Sequence, residues 1–399
     1  MLIGIVGAPN KGKTTFFKAS TMMLAEVANY PFTTIEPNKG VGFVRTQCID
    51  TFFNVQCNPR TGFCKNHIRF VPIDIIDVAG LVPGASEGRG LGNKFLTDLN
   101  QADALIQVID ISGLTDEEGK PVKDKSYDPA SEIKFLLTEI EKWLFGIFQK
   151  NFKKLGSDQT HKKLKTITVL YDFMHATLGT KEEDLHTVLK QLSLEEKNIV
   201  EWADDELMEF TKKIRELSKP IIIAANKIDI PGAKENLEKI KTEFPNLKII
   251  PCSGECEYAL KSAEKGGIIE YLPGDNKFKL LKTDISEKQK NALEFIQKTI
   301  LDVYGSTGVQ NILDFVVFDI LKYIAVYPAG TKKLEDKEGR VLPDCFLMPP
   351  GSTALDFAYK LHSDFGDNFI KAIDVKTKML LGKDYVLKHN DAIEIISGK

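Results

Sequence analysis

The chain has 399 residues, 43% of them apolar, so it can bury more than one core, and two or three domains are expected. Its formal charge is only -3, from 53 basic and 56 acidic residues. This balance excludes a global field that would draw the chain to nucleic acid or to an anionic membrane, so any contact with RNA must be local.

Six cysteines are scattered over this length, and no apolar signal stretch precedes a cleavage site. This usage indicates a reducing compartment rather than a disulfide framework. No uncharged apolar run approaches the roughly 18 residues that span a bilayer. We therefore expect a soluble, cytoplasmic protein with no membrane partner, and we favour a monomer.

The first predicted element is an apolar strand, Met1–Val6, which leads through a glycine loop into a helix from Thr15 to Thr21. The loop fits G-x-x-x-x-G-K-[ST] at every fixed position, with Gly7, Ala8, Pro9, Asn10, Lys11, Gly12, Lys13 and Thr14. Its backbone N–H groups and the helix N-terminus at Thr15 would hold the α- and β-phosphates of a nucleotide. Lys13 would neutralise β/γ oxygens during catalysis, and the Thr14 hydroxyl would ligate Mg²⁺.

Two threonines, Thr33 and Thr34, follow Tyr30-Pro31-Phe32 in a loop. We predict that Thr34 is the switch threonine, which closes on Mg²⁺ and the γ-phosphate and is released on hydrolysis. The alternative is an ordinary solvated loop threonine, because only one of the two adjacent residues can do this work.

A second apolar strand, Val71–Val78, carries Asp77 at its end, followed by Gly80. Asp77 is predicted to hold Mg²⁺ through water, and the Gly80 N–H to contact the γ-phosphate. Asp near Gly at a strand end is usually only a turn. Its position behind a phosphate-binding loop makes the metal interpretation the stronger one.

Further apolar strands are predicted at Ala104–Ile111 and Pro220–Ala225, and strands that alternate with helices indicate a parallel α/β sheet with helices on both faces. Between these two strands lies a predicted helical subdomain, residues 125–218, inserted into a nucleotide domain of residues 1–124 and 219–321. Its first helix is predicted to start at Asp128-Pro129. Ser193 with Glu196 reads as a capping box for a later helix. That later helix continues through Leu207, Phe210, Ile214 and Leu217.

The motif Asn226-Lys227-Ile228-Asp229 follows the strand Pro220–Ala225. A carboxylate accepts from both N1–H and the exocyclic amine of guanine, a donor pair that adenine lacks, so Asp229 would select the base. Lys227 would lie along the base, and Asn226 would tie this loop to the phosphate loop. After a strand at Lys248–Pro251, the backbone N–H groups of Ser253 and Gly254 would meet guanine O6; a plain turn is the alternative there.

Near the C-terminus, Ser286 with Gln289 predicts a capped helix that ends at Gly305. From residue 322 to residue 399, short β-rich runs at Tyr323–Tyr327, Cys345–Met348 and Ile393–Ile396 surround one helix, Ala354–His362. These features predict a small mixed α+β domain.

The five nucleotide-site segments, in this order, resemble those of the TRAFAC class of P-loop GTPases. The phosphate loop, Tyr30–Thr34 and the run Asp77–Ala85 continuing to Gly88–Leu96 are similar to the Obg family and its YchF-like branch. The run Leu347–Ala358, with Tyr323–Pro328 and His362, resembles a TGS domain, a ubiquitin-like β-grasp module. The resemblance covers almost the whole chain and implies a ribosome-associated translation factor that contacts the ribosome, rRNA or tRNA.

The resemblance also bears on the base and on hydrolysis. Many YchF-like proteins lack the Asn-Lys-x-Asp motif and prefer ATP, whereas this chain has the motif, which favours GTP and GDP. Leu81 stands where many GTPases place a water-orienting glutamine, so slow intrinsic turnover is expected. Asn10 could help hold a K⁺ ion beside the phosphates, or it could only stabilise the loop turn. Arg89 could supply charge, although a solvated arginine is the simpler interpretation.

Two clusters allow more than one interpretation. Cys48, Cys57, Cys64 and His67 lie within a short, turn-rich segment, but their spacing is irregular and lacks a C-x₂-C pair, so both a structural metal and free thiols remain open. A group of lysines in the insertion could contact rRNA phosphates or could form a solvated helix face. Its members are Lys150, Lys153, Lys154, Lys162, Lys163 and Lys165.

The sequence thus predicts a Mg²⁺-dependent GTPase that acts as a molecular switch, with K⁺ as a further candidate ion. Two alternatives stay open. One is an ATPase of the YchF type, and the other is a nucleotide-gated RNA- or ribosome-binding module with negligible turnover.

Overall fold

The computed structural model describes residues 1–22, 38–78, 99–123 and 127–398. Within these residues the strands are β1 (Leu2–Val6), β2 (Lys39–Gln47), β3 (Phe63–Lys65), β4 (Ile68–Asp77), β5 (Ala104–Asp110), β6 (Ile221–Asn226), β7 (Ile249–Pro251), β8 (Ile269–Tyr271), β9 (Phe278–Leu280), β10 (Ile324–Pro328), β11 (Phe346–Met348), β12 (Phe369–Asp374), β13 (Leu380–Leu381) and β14 (Asp391–Ser397). The α-helices of five or more residues are α1 (Lys13–Thr21), α2 (Ala130–Lys162), α3 (Thr166–Leu178), α4 (Glu182–Gln191), α5 (Asp204–Ser218), α6 (Ala233–Glu243), α7 (Gly254–Lys265), α8 (Glu287–Ile296), α9 (Val309–Asp314), α10 (Ala354–Leu361) and α11 (Ser363–Asp367).

The chain divides into two compact units. The first comprises Met1–Lys18, Pro37–Lys39 and Asp74–Cys256, and the second comprises Ala19–Glu36, Gly40–Ile73 and Glu257–Lys399. The division into a nucleotide domain, a helical insertion and a C-terminal domain at the bounds given above stays a prediction.

A parallel sheet forms the centre of the first unit, in the order β4-β1-β5-β6-β7. Every residue of β5 and β6 is buried, as expected for strands that are covered on both faces. The register places Ile5 of β1 beside Asp77 of β4, and Asp110 of β5 beside Asn226 of β6. The carboxyl ends of these strands therefore meet at one edge of the sheet, which is where ligands bind in open α/β folds. The predicted α/β class is confirmed.

Helices α2 to α5 lie between β5 and β6 in the sequence, as the helical pattern predicted. Helix α2 has 33 residues, and the Asp128 side chain before it accepts a hydrogen bond from the Ala130 N–H at 3.1 Å. Four of its apolar residues at helical spacing, Ile133, Leu136, Ile140 and Leu144, are buried, and Leu137 and Ile147 are half-buried. Burial of these residues, rather than helix propensity, accounts for most of the stability of this segment.

The prediction that a helix starts at Ser193 is wrong. Ser193 adopts a left-handed backbone conformation, with φ at 56°, in the turn that follows α4, and the next α-helix begins only at Asp204. At Asp204 the N-terminal cap is supplied by Glu206, whose carboxylate accepts from the Ala203 N–H at 2.8 Å. A Ser-x-x-Glu pattern is therefore insufficient where the backbone turns the wrong way for a helix N-terminus.

The second unit contains the predicted C-terminal α+β domain. Its strands pair in the order β11-β10-β14-β12-β13, and α10 packs against the sheet through Phe357. The β10–β14 pair is parallel and its neighbours are antiparallel, so the sheet is mixed. Ser286 and Gln289 form the predicted capping box of α8, and the helical run continues through a π-helical turn to Tyr304, before Gly305 at φ 77°.

Within the described ranges, no helix combines the length and the apolar character that a bilayer span requires.

Candidate nucleotide-binding site

The phosphate loop connects β1 to α1, and two of its glycines are required by space as well as by conformation. Gly7 and Gly12 have φ values of 156° and 87°. A β-carbon on Gly7 would lie 2.5 Å from the Val108 carbonyl oxygen, and one on Gly12 would lie 2.3 Å from Asn226 Nδ2. The strand β5 and the Asn226–Asp229 motif therefore approach this loop so closely that no side chain fits at either position.

Lys13 and Asp77 lie together beside the first turn of α1. The Lys13 ammonium is 2.8 Å from Asp77 Oδ1 and donates to the Val78 carbonyl at 2.5 Å. Asp77 ends β4, which pairs in parallel with the strand that enters the phosphate loop, so the fold itself brings the two residues together. A carboxylate and the exposed Thr14 hydroxyl are hard oxygen donors, which fit Mg²⁺.

Asn226 joins three loops of the site. Its buried side chain donates through Nδ2 to the Lys11 carbonyl at 3.0 Å and accepts through Oδ1 from the Gly254 N–H at 2.9 Å. The predicted tie from Asn226 to the phosphate loop is thus present. The Gly254 N–H, which was predicted to face guanine O6, is engaged by Asn226 instead, while the Ser253 hydroxyl accepts from the Cys256 N–H at 3.2 Å and caps α7.

Lys227 is held by two acceptors. Its ammonium donates to the Asn10 carbonyl at 3.0 Å and to Asp110 Oδ2 at 2.8 Å, and its own φ is 64°. Lys227 is thereby fixed to the phosphate loop, and its role along a base stays a prediction. The neighbouring Asp229 is half-buried, and burial together with its carboxylate raises the pKa of the Cys252 thiol.

Asp110 is a residue of this site that sequence reasoning missed. Its carboxylate is fully buried and accepts hydrogen bonds from Lys227, from the Ser112 hydroxyl and N–H, and from the Thr115 hydroxyl. Burial alone raises the pKa of Asp110, but these hydrogen bonds outweigh burial and hold that pKa below its ordinary value. One sequence feature could have identified Asp110: it is an acidic residue at the end of an otherwise apolar strand, and Ser112-Gly113 follows it.

The side chains of Asn10 and Lys11 turn away from the phosphate side and anchor the loop to the segment after β5. The Asn10 amide donates to the Gly119 carbonyl at 3.0 Å, and Asn10 itself has φ at 58°. The fully buried Lys11 ammonium donates to the Thr115 carbonyl at 2.8 Å and pairs with Glu132 Oε1 at 2.9 Å. The contact with Gly119 supports the loop-stabilising role for Asn10, and its role toward K⁺ stays a prediction.

Several predicted site residues lie outside the described ranges. They are Thr34, Gly80, Leu81 and Arg89. Their roles therefore stay predictions: Thr34 as the switch threonine, the Gly80 N–H as a contact of the γ-phosphate, Leu81 in place of a water-orienting glutamine, and Arg89 as a source of positive charge.

A parallel sheet with this loop, with Lys13 on Asp77 and with Asn226 binding the loop backbone, defines a P-loop nucleotide-binding protein. Family models agree over most of the chain: residues 2–150 match a model described as 50S ribosome-binding GTPase, and residues 224–330 match one described as Obg-like GTPase YGR210-like, G4 motif-containing domain. Residues 332–397 match the TGS domain.

Individual proteins extend the similarity to full length. The uncharacterized GTP-binding protein MJ1332 of Methanocaldococcus jannaschii is 46% identical over 398 residues, 99% of each chain. The ribosome-binding ATPase YchF of Bacillus subtilis is 27% identical and covers 98% of this chain and 97% of its own. A solved structure of a GTP binding protein from Pyrococcus horikoshii aligns over 100% of both chains, with 35% identity and a TM-score of 0.78.

The chain belongs to the Obg-like family of P-loop GTPases, in its YchF-like branch. The structure of the Schizosaccharomyces pombe YchF GTPase, with 20% identity and a TM-score of 0.60, supports the same fold.

Proposed function

We propose that this chain is a Mg²⁺-dependent molecular switch that binds GTP and hydrolyses it to GDP and phosphate. The observation that carries the proposal is the double engagement of the Asn226–Asp229 motif with the phosphate loop, through Asn226 on the Lys11 carbonyl and Lys227 on the Asn10 carbonyl. A motif that reads a base can act with a phosphate loop only if the two are held in fixed register. These two hydrogen bonds supply that register.

Guanine is the base that this motif favours. The carboxylate of Asp229 can accept from the N1–H and the exocyclic amine of guanine, and adenine lacks this donor pair. The relatives that are 46% and 36% identical are named GTP-binding proteins, whereas the more distant bacterial and animal relatives, at 26% to 28% identity, are named ATPases. An ATPase is accordingly the second candidate function.

Hydrolysis would depend mainly on positioning and charge. Lys13 would neutralise β- and γ-phosphate oxygens. Its partner Asp77, together with the Thr14 hydroxyl, would hold Mg²⁺, with the Asp77 carboxylate accepting a hydrogen bond from water. When bound, Mg²⁺ supplies charge neutralisation across the β- and γ-phosphates. Leu81 cannot orient water by hydrogen bonding, so intrinsic turnover would be slow, and a K⁺ ion beside Asn10 or a partner surface would supply the missing support.

A ribosome or its RNA is the partner we propose. The six lysines of the insertion named above are all exposed, and those between Lys150 and Lys162 lie on the C-terminal half of α2. Such a cluster can neutralise phosphates locally although the net charge of the chain is only -3. Relatives named as ribosome-binding proteins support the same partner, and a cytoplasmic monomer would suit it.

Calorimetric titration of nucleotide-free protein with GDP and with ADP, in buffer that contains Mg²⁺ and K⁺, tests the base. A GDP preference of about a hundredfold or more, equivalent to about 2.7 kcal/mol, is expected. Equal or tighter binding of ADP would instead favour an ATPase. Single-turnover hydrolysis with and without ribosomes then separates a switch enzyme from a nucleotide-gated binding module, because the module would show no ribosome-stimulated cleavage.

A further inference from the structure

Four residues of the second unit bring potential metal ligands together outside the nucleotide site. Cys48 follows β2, Asp50 lies in a 3₁₀ turn at Ile49–Thr51, Cys57 lies in the next loop, and Cys64 is on β3. One ligand atom from each residue lies within 4.8 Å of all the others, and all except the half-buried Cys64 are buried. The GTPase chemistry uses none of these residues.

The spacing of the sulfur atoms fits a common metal ion better than a disulfide bond. Cys48 Sγ and Cys57 Sγ are 3.5 Å apart, and the Cys64 Sγ to Asp50 Oδ2 distance is 3.8 Å. Thiolates on a tetrahedral zinc ion lie about 3.8 Å apart, because each Zn–S bond is about 2.3 Å long. A disulfide would need a sulfur separation of about 2.05 Å.

Hydrogen bonds from the backbone hold these ligands in place. The Cys48 N–H donates to the His67 carbonyl at 2.8 Å, and the Cys57 N–H donates to Asp50 Oδ2 at 3.2 Å. His67 Nδ1 lies 3.0 Å from Asp50 Oδ1, the arrangement by which an outer histidine orients a metal-bound carboxylate. The four ligands therefore lie close together although they are irregularly spaced in the sequence, because Cys48, Asp50 and Cys57 lie in and beside one loop and Cys64 lies on strand β3.

The charge beside the cluster is independent evidence for an anionic centre. Arg69 is almost fully buried, and its guanidinium reaches Cys57 Sγ at 3.7 Å and the Leu342 and Pro343 carbonyls at 3.0 Å each. Among the described residues, no carboxylate pairs with Arg69. A buried cation without a counter-charge is costly, whereas three thiolates and one carboxylate on a divalent ion carry an excess of about two negative charges.

We propose that Cys48, Cys57, Cys64 and Asp50 bind a structural zinc ion in a closed tetrahedral site. The ion stabilises the loop from Cys48 to Cys64. That loop also binds the segment before β11. The Asn58 N–H donates to the Val341 carbonyl at 2.9 Å, and the Arg60 N–H donates to the Pro343 carbonyl at 2.8 Å. Arg60 also pairs with Asp344 at 2.5 Å.

The test is the metal content of the full chain, purified without chelator and measured by inductively coupled plasma mass spectrometry. About one zinc per chain is expected. Cys57→Ser and Cys64→Ser should each fall below about a tenth of the wild-type content, since a thiolate is the stronger ligand. Cys345→Ser removes a buried thiol of the same unit outside the cluster, and it should retain zinc in full.

Two further measurements keep the proposal falsifiable if a cysteine variant fails to fold. Chelation of the wild-type protein should lower its melting temperature, and Zn²⁺ but not Mg²⁺ should restore it. Co²⁺ loaded into the chelated protein should give thiolate charge-transfer bands and intense tetrahedral d–d bands. A metal-free protein that does not respond to Zn²⁺, or a Cys48–Cys57 disulfide found by mass spectrometry after alkylation without reduction, would overturn the site.

The fourth ligand has its own test. Asp50→Asn should abolish stoichiometric zinc, whereas His67→Ala should weaken zinc affinity by about 10- to 100-fold, as for other residues that orient a ligand. The opposite order would contradict the assignment of Asp50.

Discussion

Lys11 of the phosphate loop and Glu132 of helix α2 form an ion pair at 2.9 Å, with 0% and 5% of the two residues exposed. The Lys11 ammonium also lies 4.7 Å from the centre of the Tyr127 ring. Burial raises the pKa of Glu132 to about 8, although Lys11 opposes that shift. The pair is therefore a direct physical connection between the nucleotide loop and the helical insertion.

Removing one partner should destabilise the protein more than removing both. At pH 9, above the pKa of about 8 at which Glu132 ionises, Lys11→Met leaves the Glu132 carboxylate buried without its cation, which we expect to cost about 3 kcal/mol. The double variant Lys11→Met with Glu132→Leu should recover most of that loss. Both tryptophans, Trp143 and Trp202, lie in the predicted insertion, so urea unfolding followed by tryptophan fluorescence reports on the unfolding of the insertion. If the loss of unfolding free energy in the double variant equals the sum of the losses in the two single variants, Lys11 and Glu132 are not coupled.

Glu132 should also give the unfolding free energy a distinct pH dependence. Its folded pKa of about 8 lies above the ordinary value of 4.5, so its contribution is fully present below pH 4.5 and is lost as the pH rises through 8. Glu132→Gln should therefore flatten the decline in stability across this window. Glu183→Gln, at an exposed position of α4, is the control and should leave the pH profile unchanged.

Gly12 and Gly179 separate steric exclusion from backbone strain. Both have positive φ, 87° and 67°, but a β-carbon on Gly12 meets Asn226 at 2.3 Å, whereas one on Gly179 meets nothing within 4 Å. Gly12→Ala should weaken GDP binding by about a hundredfold or more, because the phosphate loop must move away from Asn226. Gly179→Ala should cost about 1 kcal/mol of stability and leave GDP affinity unaltered, as measured by calorimetry.

Asp229→Asn tests the base that the site reads. An amide offers a donor where the carboxylate offered an acceptor, so GTP affinity should fall by about a hundredfold and xanthosine triphosphate should become the better ligand. Competition against a fluorescent nucleotide measures both affinities. Unchanged affinities in this variant would mean that Asp229 does not contact the base.

The sequence predicted best the features that are local in the chain. Lys13, Asp77 and Asn226 could be found because motif spacing and a strand end define them, and the parallel sheet then brings them to one edge. The Asp110–Lys227 and Lys11–Glu132 pairs could not be found in this way, because the two partners of each pair lie more than a hundred residues apart in the sequence.

Two other outcomes have the same physical origin. Ser193 matched the local pattern of a helix start. In the structure its backbone is left-handed, so Ser193 lies in the turn after α4 and no helix begins there. Cys48, Cys57 and Cys64 lacked regular spacing, yet the antiparallel pairing of β3 with β4 brings Cys64 back to the loop. In both cases the path of the backbone, rather than the residue types, decided the result.

Because helix α2 is long, a small movement of the end next to the phosphate loop would produce a large movement of its other end. Its 33 residues rise about 50 Å, and the end that carries Glu132 is the end attached to Lys11. A tilt of about 5° at that end would carry Lys162 sideways through roughly 4 Å. A hydrogen bond to a phosphate is lost over a much smaller distance, so such a tilt would make or break the contacts that we propose between these distant lysines and RNA.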